Sequence, residues 1–194
     1  MPFDVSIISS VALGIALSAC CGFRVFIPLL AASAAGYFHW YELSPASSWM
    51  ATLPALICFA TAAVMEVLAY YIPVVDNLLD TIATPLSVLA GTVLASSILP
   101  IDPDQGLLRW GMALLAGGAT AGTLQLGTGI LRLFTTKTTA GTGNAVVATG
   151  ENAAAIGGVA MSFLIPVVMA VLILLLVIYL LYRLFRGGDS TRKE

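Results

Sequence analysis

The stretch WMATLPALICFATAAVMEVLAYYIPVV, residues 49–75, carries a single charged residue, Glu66. An apolar run of this length can cross a bilayer as a helix. A carboxylate inside such a run is costly in hydrocarbon, and it usually faces a partner or a cavity within the protein. The stretch therefore predicts a membrane-embedded helix with one acid directed into a helical bundle.

The rest of the chain is equally apolar. Of its 194 residues, 59% are hydrophobic and 9% are charged, and the mean hydropathy is +1.00. This composition excludes a soluble domain with a polar surface. Further runs suited to spanning helices occupy residues 5–23, 110–131 and 153–182, with a shorter run at 81–99. Because these runs show no strand alternation, we expect an all-α, polytopic transmembrane helical bundle of about five to six spans.

Basic residues predict the orientation of the chain. Residues 1–186 are expected to form one transmembrane domain, and residues 187–194 a basic cytoplasmic tail. Arginines and a lysine cluster after the last apolar run, which favours a cytoplasmic C-terminus. With an odd number of crossings, Arg132 and Lys137 would then lie on the outer side, against the usual distribution of positive charge.

Two apolar stretches are too long for single spans. As continuous helices, residues 5–38 and 153–182 would extend roughly 50 Å and 45 Å, against a hydrocarbon core of about 30 Å. Both contain helix breakers, including Pro28 in the first and Pro166 in the second. We therefore expect departures from continuous helix within residues 22–28 and 150–166, as broken or re-entrant segments that line an enclosed site.

A weak internal similarity accompanies these breaks. The segments ATPLSVLAGTVLASSILP (residues 83–100) and ATGENAAAIGGVAMSFLIP (residues 148–166) share an Ala-Thr start and a final proline. The similarity indicates either a degenerate internal repeat of the transporter type or simple apolar low complexity.

Arg24 and Glu66 are the charges placed deepest in apolar sequence. Arg24 either extends to an interface or pairs with an acid or an anionic substrate, and Glu66 and Glu151 are its candidate partners. Tyr70 follows Glu66 by four residues, so the two side chains share a helix face that should point into the bundle. Glu66 is either a protonation switch or a structural acid that contacts water or an ionisable partner.

A second polar group lies in IPVVDNLLDTIATP, which contains Asp76, Asn77 and Asp80. One interpretation is that Asp80 or Thr84 caps a following helix that has Pro85 at its first position. The other is an oxygen-rich site of the kind that binds a hard cation.

Glu151 and Asn152 form the third group. They follow a Gly- and Thr-rich segment, residues 135–150, which predicts an extramembrane loop. The alternative is a re-entrant segment that lines a path, with Glu151 at the start of its helix.

Signals for other functions are absent from the sequence. The single histidine, His39, has no metal-binding motif around it, the three cysteines lack zinc-ligand spacing, and there is no nucleophile elbow. No basic cluster with interleaved aromatic residues indicates nucleic-acid binding. We expect no catalysis, no cofactor and no metal site. The small-residue runs 31–36 and 117–122 allow close helix packing within or between subunits, which leaves a homo-oligomer open.

The segments CGFRVFIPLL and EVLAYYIPVVDNLLDTIATP, with ATGEN in a glycine-rich second half and the basic tail, resemble a bacterial membrane-protein family, domain of unknown function 4126. The resemblance covers nearly the whole chain and implies a polytopic protein of the inner membrane, but no activity. It points to eight residues: Arg24, Glu66, Tyr70, Pro73, Asp76, Asn77, Asp80 and Glu151. Separately, FRVFIPLLAASAAG is similar to the arginine-containing re-entrant signature of DedA-type lipid translocases.

The sequence thus favours a transporter or channel of the bacterial inner membrane for a small ion, a proton or a polar solute. Its polar path would be formed by Arg24, Glu66, Tyr70, Asp76, Asn77, Asp80, Glu151 and Asn152. One alternative is a translocase of an anionic lipid or lipid-linked phosphate, with Arg24 at the headgroup. Another is a structural or assembly protein that lies in the lipid bilayer and transports nothing.

Overall fold

A computed structural model describes residues 5–102, 104–139 and 143–188, without the side chains of residues 73, 74, 76, 77, 80 and 184–188. Within these ranges the chain forms helices and turns and no strand, which confirms the all-α prediction. The helices are α1 Val5–Cys20, α2 Phe26–Tyr37, α3 Leu53–Ala69, α4 Pro73–Ile98, α5 Gly106–Ala113, α6 Ala119–Thr139, α7 Asn144–Leu164 and α8 Pro166–Gly188. A 3-10 helix, Pro45–Ala51, precedes α3, and a π-helical segment, Leu114–Gly118, joins α5 to α6.

Helix α1 lies at the centre of the bundle, where it packs against α4, α6, α7 and α8. Its C-terminal half is buried, and Leu17 of α1 and Leu94 of α4 are fully enclosed in the core. By contrast, α8 exposes many large apolar side chains, and Ala63 alone is buried among the residues of α3. An exterior of large apolar side chains is typical of a surface that contacts lipid.

Two of the described helices are long and apolar enough to cross a membrane, through the windows Thr81–Ile98 in α4 and Pro166–Arg183 in α8. A third span arises if Pro45–Ala51 and Leu53–Ala69, which are bent by 65°, form one broken span. Helices α1 and α2 are apolar but shorter. Helix length and composition thus support a membrane helical bundle, but not the full count of about five to six spans.

Both expected helix breaks are confirmed. The chain leaves α1 through a turn at residues 21–25 before α2 begins, and Ile165 separates α7 from α8 with φ −140° and ψ 67°. A non-helical conformation at Ile165 is consistent with Pro166, because proline disfavours the helical region for the residue before it. Gly157 and Gly158 remain helical within α7.

Three local predictions were wrong. The run at residues 49–75 is divided among a 3-10 helix, α3 and the start of α4. Thr52 caps the start of α3, and Pro73 occupies the first position of α4, where its missing N–H costs nothing. Pro85 lies inside α4 and not at a helix start, so neither Asp80 nor Thr84 is its cap. Most of residues 135–150 are helical, and Glu151 lies two turns inside α7 and not in a loop or at a helix start.

Helix α4 runs antiparallel to the chain from α5 to α6 at very short range. An added Cβ on Gly117 would lie 2.5 Å from the Cβ of Ala95, and one on Gly91 would lie 2.8 Å from the carbonyl oxygen of Gly117. The contact between Ala113 and Ala95 lies one turn further along. Only glycine permits this approach of two backbones.

We expect Gly117→Ala to lower the free energy of unfolding by about 1–3 kcal/mol, because the new methyl group has no space. Gly111→Ala is the matched control, since a Cβ there meets nothing within 4 Å. It should stabilise α5 by up to about 1 kcal/mol. Thermal unfolding in mild detergent measures both changes, and equal midpoints for the two variants would contradict the close approach.

Candidate functional site

Arg24 lies in the turn between α1 and α2, and its side chain is 1% exposed. Its Nη1 donates to Glu151 Oε2 at 2.7 Å, and its Nε donates to Asn152 Oδ1 at 2.5 Å. Further hydrogen bonds run from Nη1 to the Phe23 carbonyl and from Nη2 to the Ala148 carbonyl, each at 3.1 Å. The predicted ion pair with Glu151 is confirmed, and an arginine extended to the interface is excluded.

A second buried arginine binds the same carboxylate. Arg132 of α6 is 2% exposed, and its Nε donates to Glu151 Oε1 at 3.0 Å while its Nη2 donates to Glu151 Oε2. From the sequence, Arg132 is considered only as a charge on the outer side of the membrane, and it is not selected as a site residue. Glu151 therefore joins α7 both to α6 and to the turn after α1.

Tyr70 covers both guanidinium groups. The centre of its ring lies 4.0 Å from Arg24 Cζ and 4.4 Å from Arg132 Cζ. Such cation–π contacts contribute about 0.5–2 kcal/mol, most when water is excluded. Tyr70 is buried at the C-terminal end of α3, so α3 joins the cluster through an aromatic face.

Glu66 has a different partner from the one expected. Its two carboxylate oxygens accept the backbone N–H groups of Val25 at 2.8 Å and Phe26 at 3.0 Å. These are unpaired donors at the N-terminus of α2, where Val25 has no capping side chain of its own. The positive end of the helix dipole also favours a carboxylate there. Within the described residues Glu66 forms no ion pair, so of the two expected contacts, water or an ionisable partner, the second is not found there.

Glu66 and Tyr70 also reach a cavity of about 260 Å³. Side chains from the start of α2, from α3 and from α4 line it, and most are apolar, including Phe26, Met65 and Leu86. The cavity thus borders the Glu66 carboxylate on one side and the aromatic cover of the arginines on another.

The chain matches one known protein family. Residues 11–186 match the model of a family described as Domain of unknown function (DUF4126). The chain belongs to this family. No curated protein and no solved structure matches it. Membership of the DUF4126 family confirms the sequence resemblance and carries no activity with it.

Asn152 connects the cluster of this DUF4126 chain to the turn after α3. Its Nδ2 donates to the Tyr71 hydroxyl at 3.3 Å, and that hydroxyl shares a hydrogen bond with Thr149 Oγ1 at 3.0 Å. Tyr71 and Thr149 were not selected from the sequence, because nothing local marks two hydroxyl groups that meet across 78 positions.

The remaining predicted site residues are Asp76, Asn77 and Asp80. Their backbone lies in the first turns of α4, but their side chains lie outside the described part of the structure. Whether they extend the polar cluster stays a prediction. Among the described residues, no group of three or more His, Cys, Asp or Glu side chains could hold a metal ion.

We expect Glu151→Gln to destabilise the protein by about 3–5 kcal/mol, because it removes the carboxylate from two buried guanidinium groups. Glu42→Gln is the matched control, since Glu42 is exposed. The control should change stability by no more than about 0.5 kcal/mol. Thermal unfolding in mild detergent measures both variants, and a Glu151→Gln protein as stable as the control would contradict the proposed role of this carboxylate.

Proposed function

We propose that this protein is a multi-pass transporter or channel of the bacterial inner membrane, with a cytoplasmic C-terminus, that moves a proton, a small ion or a polar solute. The observation that carries the proposal is the position of Glu66. Its carboxylate borders the cavity and also holds the N-terminus of α2. A titratable group in this position links the charge state at a cavity to the geometry of a broken helix.

The break itself supports the proposal. Arg24 and Val25, which lie outside regular helix, are buried within the bundle. Irregular backbone in a membrane protein is tolerated where protein encloses it or where it lines a cavity. Transporters use the exposed ends of such half-helices to bind ions and substrates.

Protonation of Glu66 would give the turn between α1 and α2 two states, one with a charged and one with a neutral Glu66. As a carboxylate, Glu66 accepts both N–H groups, from Val25 and Phe26. A protonated carboxyl loses its charge and part of its capacity to accept hydrogen bonds, so the start of α2 would be held less tightly. A ligand that binds one protonation state better shifts this equilibrium, which is how transport would couple to protons.

The cluster of Arg24, Glu151 and Arg132 fits a structural role beside this path. Arg24 makes four hydrogen bonds and is almost completely buried. A lipid headgroup could bind its guanidinium only by displacing these bonds. This arrangement favours ion or solute transport over the lipid translocase in which Arg24 binds the headgroup.

We expect purified protein in liposomes to pass protons or a small ion faster than protein-free vesicles, in a pH-dependent manner. A trapped pH-sensitive dye reports protons, and tracers report sodium, potassium, chloride and phosphate. Glu66→Gln should abolish the pH dependence, whereas Glu42→Gln should retain it because Glu42 is exposed and is not among the residues that line the cavity. Absence of flux for every ion tested, or unchanged pH dependence in Glu66→Gln, would contradict the proposal.

A cavity-filling variant tests the same path without altering the acid. Ala62 lines the cavity, so Ala62→Leu should reduce flux while leaving its pH profile unchanged. Val64→Leu on the same helix is the control, because Val64 is exposed.

Glu66→Gln places an amide group next to the two backbone N–H donors of α2. This should lower the free energy of unfolding by about 1 kcal/mol, so folding is checked for each variant.

A further inference from the structure

Arg109 of α5 is buried in a different way from Arg24. Arg109 is 6% exposed, and its Nε is enclosed with no hydrogen-bond partner. Within the described residues no carboxylate forms an ion pair with it, and its nearest aromatic contact is the ring of Trp110, 5.6 Å from Cζ. A buried charged donor without an acceptor is unfavourable, so this guanidinium is suited to an anion from outside the chain.

The packing of α5 on α4 places Arg109 at the end of a membrane span. Gly117 faces Gly91 and Ala113 packs with Ala95 and Leu99. Arg109 lies one turn, about 5.4 Å, before Ala113 on the same face. It is therefore level with the C-terminal end of α4, where the apolar window Thr81–Ile98 ends. If α4 spans the membrane through this window, Arg109 would lie near the depth of the lipid phosphates.

The side chains around Arg109 suit an amphiphile better than a free ion. Leu107 is 93% exposed, and Leu108 and Trp110 are also exposed. Asp102 and Asp104 in the preceding connection are exposed acids that repel any phosphate, so binding here needs a further contribution from apolar contacts. A lipid brings its phosphate to the site in the plane of the membrane, and its acyl chains can cover the exposed apolar residues.

We propose that Arg109 binds a phosphate group at the membrane surface, and that the group belongs to a phospholipid. Guanidinium groups bind phosphate oxygens through paired N–H donors, and a phosphate beside Arg109 would offset the buried positive charge even though Nε itself is enclosed. Trp110 and Met112, which are exposed and follow Arg109 toward the interior of the span, would contact the glycerol and the first part of the acyl chains. This site is separate from the Glu66 cavity and does not depend on the transport proposal.

The test uses delipidated full-length protein in mild detergent, titrated with phosphatidylglycerol. Native mass spectrometry counts bound lipid, and thermal unfolding reports stabilisation. We expect phosphatidylglycerol to bind and to raise the unfolding midpoint, and Arg109→Gln to weaken binding about tenfold. Arg183→Gln is the matched control, because it removes an exposed arginine near the end of a span. It should bind as the wild type does.

Two further arms identify the source of the phosphate. A galactolipid with the same acyl chains but no phosphate should not stabilise the protein, and inorganic phosphate should have no effect at matched concentration. Equal stabilisation by inorganic phosphate or by the galactolipid would overturn the proposal, as would wild-type binding by Arg109→Gln or equal loss in Arg183→Gln. If Arg109→Gln does not fold, Arg109→Lys is tested instead. It should weaken binding several-fold, because lysine lacks the paired N–H donors of the guanidinium group.

Discussion

The carboxylate of Glu151 binds two buried guanidinium groups, and the arrangement of the bundle depends on this contact. Moving such charges out of water costs several kcal/mol each, so they are tolerated only with close partners in good geometry. One partner comes from the turn after α1 and the other from α6, which fixes α7 relative to both. Tyr70 extends the same constraint to α3. Because a buried charge without its partner would be costly, few alternative packings of these helices are favourable.

Glu66 provides a second and more adaptable contact. Its carboxylate accepts the two backbone N–H groups at the start of α2, and the same side chain borders a cavity. The Glu151 cluster is closed by two arginines, whereas Glu66 binds only backbone donors among the described residues. The two acids therefore suit different roles, one as a fixed anchor and the other as a group whose charge can change. Close packing at Gly91 and Gly117 holds α4, which also lines this cavity, against the segment between α5 and α6.

Much of the fold could be predicted from single-residue chemistry. Proline and excess length indicated both helix breaks, and the cost of a buried guanidinium indicated an acid near Arg24. The partners were harder to predict, because pairing between residues 24, 132 and 151 is set by the packing of distant helices. For Glu66 the sequence predicts contact with water or an ionisable partner, and it does not predict the backbone donors of α2, because the packing of α3 on α2 is not visible in the sequence. Pro85 was assigned to a helix start, although neighbouring helices can stabilise a proline inside a membrane helix.

The most direct test is a double-mutant cycle on Arg24 and Glu151, because it isolates the contact on which this structure depends. The free energy of unfolding in detergent is measured for the wild type, Arg24→Gln, Glu151→Gln and the double variant. If the buried pair joins the break to α7, the two changes should be coupled by about 1.5–3 kcal/mol, as expected for a charged hydrogen bond. Effects that add within about 0.5 kcal/mol would show that the two residues act independently, and would contradict the account.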